Sequence, residues 1–157
     1  MNADTQKGFT IIELLIVFAL VSIVGAFALL ASIDAYRGSL FRSDRDMLVA
    51  ALERARAESM NNVCIGTCTD GKAHGVAIRP SDNPNAYVIF QGSSYAVRNS
   101  SVDAIFAANS VAIVTGLNEV DFAQITGAAN AGTVNISQSN HTSVISIGSE
   151  GQISWTN

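Results

Sequence analysis

The order of apolar and polar positions divides the chain into four stretches. Residues 1–8, MNADTQKG, are short and mostly polar, carry Lys7 and end in Gly8. Residues 9–33, FTIIELLIVFALVSIVGAFALLASI, are apolar on every side and hold one charge, Glu13. As a helix this stretch is about 37 Å long, more than the roughly 30 Å of a bilayer's hydrocarbon core. That length predicts a spanning or filament-embedded helix rather than a core helix of a soluble domain. An ordinary secretory signal has a shorter apolar run followed by a small-residue cleavage site. Here a polar leader, a glycine and a phenylalanine precede a long apolar run, an order that predicts a cut before the helix.

Residues 34–61 keep a helical period but change character. Tyr36, Leu40, Met47, Leu48, Leu52 and Ala55 recur at three- and four-residue steps, with Arg42, Arg45, Asp46, Glu53 and Arg56 largely on other faces. Arg54 and Glu58 are spaced for an i,i+4 ion pair. With no proline before Pro80, the pattern predicts one helix over 10–61, about 78 Å long. From residue 62 short alternating runs appear between turn-forming residues. They predict strands at 74–79, 86–91, 95–98, 110–115, 119–124, 133–137, 143–147 and 152–155. Such close spacing predicts antiparallel hairpins. The fold class is therefore α+β: a long N-terminal helix, spanning in its first half and amphipathic in its second, packed on an antiparallel β-sheet or sandwich head over 62–157.

Composition narrows the function classes. Charged residues are 14% of the 157 and the net charge is −4. Disorder needs low hydrophobicity and high net charge, and a general polyanion binder needs a basic balance, so both are excluded. No Lys or Arg follows Arg98, while Asp103, Glu119, Asp121 and Glu150 are acidic, so a basic DNA-binding tail is absent. The helix arginines Arg42, Arg45, Arg54 and Arg56 read as a solvated or inter-subunit face. The aromatics Tyr87, Phe90, Tyr95, Phe106, Phe122 and Trp155 read as core or sheet-face residues rather than a base-stacking platform.

Glu13 carries the sharpest chemistry. A carboxylate in an apolar spanning segment is costly and usually has a partner. Near the start of the helix it could also lie at the hydrated interface. Cleavage between Gly8 and Phe9 would create an α-amine one helical turn from Glu13. Ammonium and carboxylate could then pair, within a chain or between neighbours, and fix the register of packed helices.

The segment K-G-F-T-I-I-E-L-L-I-V, residues 7–17, resembles the signature of type IV prepilins and type II secretion pseudopilins. The resemblance implies that residues 1–8 are a leader removed by a prepilin peptidase. That enzyme would cut between Gly8 and Phe9 and N-methylate Phe9. Glu13 would guide docking of 9–33 into a filament. The implied partners are the peptidase, other pilin or pseudopilin subunits, an inner-membrane assembly platform and, before assembly, membrane lipid. The implied place is the cytoplasmic membrane, single-pass with the head in the periplasm or outside, and then the filament. Leu30 stands where many members carry a helix-breaking proline, and Gly25 could loosen the helix instead. Residues 51–66, ALERARAESMNNVCIG, and the pattern Val120-Asp-Phe, Gly127, Val144-Ile-Ser-Ile-Gly and Gly151-Gln-Ile are similar to GspH/FimT-type minor pseudopilins.

The head offers little reactive chemistry. Cys64 and Cys68 are read as a disulfide pinning the loop after the helix, as two free thiols, or as part of a metal site with His74 that lacks a fourth ligand. Asp70-Gly71 is a calcium-loop fragment with one carboxylate. His74 and His141 read as surface residues. No Gly-x-Ser-x-Gly, phosphate loop or dinucleotide fingerprint occurs, so no catalytic residue, cofactor or metal is assigned. The expected role is a structural, non-enzymatic (pseudo)pilin subunit, placed as a minor one. The alternative is a membrane-tethered module whose head binds a secreted substrate or DNA.

Overall fold

The computed structural model describes residues 8–109 and 111–156, with backbone alone for 29–31. The chain divides into two compact units, one up to Gly38 and one from Ser39 onward. Helix α1 runs Ile11–Met60 and contributes to both. Strands β1 (His74–Ile78), β2 (Ala86–Gln91), β3 (Ala104–Ala107), β4 (Ile113–Gly116), β5 (Glu119–Phe122), β6 (Gly132–Gln138), β7 (His141–Ile147) and β8 (Ile153–Thr156) follow. They form two antiparallel four-stranded sheets, ordered β3-β2-β1-β5 and β4-β6-β7-β8. This is the α+β pilin-like architecture, a long N-terminal helix on antiparallel sheets.

In the second unit α1 is amphipathic in the expected sense. Leu48, Ala51, Leu52, Ala55 and Ser59 are buried at three- and four-residue steps, while Tyr36 and Leu40, expected on the same stripe, are exposed. The buried helix face joins Val76, Tyr87 and Phe122 of one sheet and Val134, Ile136 and Ile145 of the other in a single core. Each fully buried Leu or Ile contributes about 1.5–3 kcal/mol. Strands β6 and β7 alternate buried and half-buried positions, as sheets with one core face do.

Strand β2 differs: all six residues are buried. Tyr87 and Ile89 face the main core, and Val88 and Phe90 face a second apolar cluster with Ala77 and Ala86. Residues 92–103 cover that second face. The expected strand at 95–98 is instead a 3-10 turn, Tyr95–Val97, followed by a second, Ser100–Val102. Tyr95 packs edge-on against Phe90 with ring centroids 5.6 Å apart, and the Arg98 guanidinium lies 3.5 Å from the Tyr95 centroid. Arg98 then reaches Asp103 at 2.7 Å and Asp82 at 3.0 Å. The expected strand at 95–98 thus serves as a strap, and the edge of the sheet is β3, Ala104–Ala107, where no strand was expected.

A buried polar cluster ties α1 to the strands. Asp44 accepts hydrogen bonds from the Tyr87 hydroxyl (3.0 Å), the Asn109 amide (2.9 Å) and Arg79 (3.4 Å). Arg79 also donates to the carbonyls of Ala112 and Asn109, and the Asn109 side chain donates to Gln138 of β6. Burial, followed by the negative charge of Asp44, pushes the Tyr87 hydroxyl far above its usual range, which keeps it protonated as a donor. Arg79 has a φ of 50°, so β1 ends one residue earlier than its sequence pattern predicts. The Gly127 and Gly151 backbones meet beside Arg56: a methyl on Gly151 would strike the Gly127 carbonyl oxygen, and one on Gly127 would strike Met60.

Candidate functional site

The N-terminal segment is built around the start of α1. Gly8, Phe9 and Thr10 precede the helix. The Thr10 hydroxyl accepts the Glu13 backbone amide at 3.3 Å, and the Thr10 carbonyl accepts the Leu14 amide at 3.2 Å. Thr10 is therefore the N-cap and Glu13 the third helical residue. Thr-x-x-Glu is the spacing of a capping box, and Glu13 also places negative charge where the helix dipole favours it. The capping role of Thr10 was missed in sequence; the capping-box spacing would have disclosed it.

Phe9, Glu13, Leu14 and Val17 line one shallow groove, so Phe9 and Glu13 share a face. Phe9 is 81% exposed, and residues 11–28 are exposed throughout. α1 is long and apolar enough to cross a membrane: its most apolar window has a mean hydropathy of 2.9 and none of it is buried. An apolar surface of this extent needs lipid or other chains around it. Lys7 lies outside the described residues.

In the head, the Cys64 and Cys68 sulfur atoms are in bonding contact, with Cα atoms 5.9 Å apart, inside the span of a disulfide. Gln91 holds the enclosed loop, accepting from the Ile65 amide at 2.7 Å and donating to its carbonyl at 3.2 Å. Among the described residues no group of three or more His, Cys, Asp or Glu side chains gathers as a metal site.

Several polar residues lie elsewhere than expected. His74, expected at the surface, is 1% exposed: it begins β1 between β2 and β5, under the end of α1. Ser59 accepts its amide at 2.8 Å and donates to its carbonyl at 3.3 Å. Its Nδ1 is 3.1 Å from the Lys72 carbonyl, and Nε2 is 3.8 Å from Glu58. Desolvation lowers the His74 pKa, against the opposing pull of Glu58. His141 is half-buried and stacks on Phe41 with centroids 5.6 Å apart. Arg45, expected on a solvated or inter-subunit face, is buried and paired with Asp46 at 2.7 Å. Arg54 and Glu58 do form their i,i+4 pair, at 2.8 Å. Trp155, expected in the core or on a sheet face, lies in the edge strand β8 and is 45% exposed.

A capped, exposed, apolar helix with an acid in its first turn, followed by a helix-on-sheets head, defines a pilin-like chain. The family model described as Prokaryotic N-terminal methylation motif matches residues 4–29. No curated protein and no solved structure gives a significant match. The motif and the architecture together support a type IV pilin-like or pseudopilin chain. The motif implies processing by a prepilin peptidase and assembly with other pilin subunits, and with the apolar helix it indicates membrane anchoring.

Proposed function

We propose that the chain is a minor pseudopilin or pilin of the GspH/FimT type, made as a precursor and assembled into a filament without catalytic activity of its own. The peptidase cuts between Gly8 and Phe9 and methylates the new amine. Before assembly the apolar segment sits in the cytoplasmic membrane lipid, single-pass, with the head on the periplasmic or outer side. An inner-membrane platform then moves the subunit into a type II secretion pseudopilus or a type IV pilus. A Cys64–Cys68 disulfide fixes the loop after α1 in that oxidising space.

The observation that carries this reading is the position of Glu13, on the same face as Phe9 at the capped start of an exposed apolar helix. Transfer of such a helix from lipid to a filament core gains little hydrophobic free energy, because both surroundings are apolar. Packing and the pairing of Glu13 with the amine on Phe9 therefore set the register. Mass spectrometry of the native N-terminus tests it. The expected mature chain begins with N-methylated Phe9, and Gly8→Ala accumulates as full-length precursor. A native chain that still begins at Met1, or that lacks residues 9–33, would sink the proposal.

A further inference from the structure

We propose that the head joins a second copy of this chain edge to edge through the β4-β6-β7-β8 sheet, with β8 of one copy pairing antiparallel with β4 of the next. Trp155 then stands opposite Val114, and Ile153 opposite Gly116.

The hydrogen-bond phase of both edge strands supports this. The Leu117 amide donates to the Thr133 carbonyl, which continues the β4–β6 ladder and turns the Ile113 and Thr115 backbone groups toward β6. The backbone groups of Val114 and Gly116 are left on the outer edge. At the other end the Gly148 amide donates to the Gln152 carbonyl, which turns the Ser154 and Thr156 backbone groups toward β7. Ile153 and Trp155 face outward. Among the described residues these outward groups have no hydrogen-bond partner, so each edge offers two residues with backbone donors and acceptors at the same two-residue spacing. Four antiparallel strands also make β4 and β8 run in opposite directions. Joining β8 to β4 of a neighbour therefore continues an antiparallel ladder.

The side chains agree. Exposed edges are normally guarded by charge, proline or a bulge. The other sheet follows that rule: β5 carries Glu119 and Asp121, and β3 is flanked by Asp103. Neither β4, Ile-Val-Thr-Gly, nor β8, Ile-Ser-Trp-Thr, holds a charge or a proline. Trp155 lies opposite Ile145 and Val114 opposite Ile136, both core residues, so the proposed pair sets Trp155 and Val114 on the core-facing side of one continuous sheet. Trp155 is 45% exposed and would be covered there. On the opposite side Ile113, 65% exposed, meets Thr156. An interface that uses two different patches is head-to-tail: it closes into a ring if its rotation closes and otherwise propagates as a filament, the form of assembly that the class implies.

The pairing extends the assembly reading to the head, and its test is separable from processing because it can be read on the Gly8→Ala precursor as well as on the processed chain. In the proposed register Ser154 faces Thr115 as a non-hydrogen-bonded pair, with Cα atoms about 4.5 Å apart, close enough for a disulfide. Full chains carrying Thr115→Cys or Ser154→Cys, each with a different tag, are co-expressed in one membrane and treated with a mild thiol oxidant. A covalent dimer bearing both tags is expected for the mixture, no dimer above the unsubstituted background for either variant alone, and a ladder for the double variant. Trp155→Lys should abolish the mixed dimer. Dimers from Ser154→Cys alone would mean that β8 pairs with itself, and no mixed dimer would mean that the edges do not meet; either result overturns the proposal. Normal N-terminal processing in the same cells would confine that failure to the head contact.

Discussion

Glu13 answers to two neighbours. Its amide is capped by Thr10, which fixes the first turn, and its side chain shares a face with Phe9. Glu13→Ala is expected to leave membrane insertion intact and to reduce incorporation into filaments, measured as the ratio of mutant to wild type in a filament pull-down. Equal incorporation would remove the docking role. At His74 the consequence concerns pH. Its ordinary value is 6.5, and burial lowers it in the folded chain despite Glu58. The unfolded chain therefore binds the proton more readily. Stability is full above about pH 6.5 and falls as pH drops toward the lowered value. The urea midpoint should be lower at pH 5.5 than at pH 7.5, and His74→Gln should flatten that difference. A midpoint that rises on acidification would contradict the assignment.

Asp44 connects elements that the sequence pattern alone keeps apart. It sits in α1, beneath Tyr87 of β2 and Arg79 at the end of β1, and holds the loop before β4 through Asn109. Asp44→Ala leaves the half-buried Arg79 guanidinium beside carbonyls only. The expected loss is about 3–5 kcal/mol, as when one member of a buried ion pair is removed. Urea unfolding followed by Trp155 fluorescence would measure it, and Asp44→Ala with Arg79→Met should recover part of the loss. The helix and most strands were legible because their apolar periods are regular: 86–91 was placed to the residue, and α1 to within one residue at each end. The 95–98 segment was not, because Tyr95 and Val97 alternate as a strand does while Arg98 pulls the chain toward Asp82 and Asp103. Charged and polar residues that bury with distant partners, such as Asp44, Arg45 and His74, leave no local periodicity to read.

At the scale of the whole chain the N-terminal segment was the most legible part, since one acid in a long apolar run is visible without any tertiary contact. The division of labour between helix and head can be tested by exchange. Replacing 9–33 with an unrelated spanning helix is expected to abolish filament incorporation while leaving the head folded and membrane-bound. Retained function would instead favour a tethered binding module. The head carries its own constraint at the crossing of Gly127 and Gly151, where a methyl on Gly151 would strike the Gly127 carbonyl, one on Gly127 would have to displace the Met60 side chain, and both φ angles, 67° and 71°, suit glycine. In a saturation library selected for folded protein, these two surface-loop codons should be as intolerant as those of the interior, so that a tolerance map would mark the crossing as a hidden extension of the core.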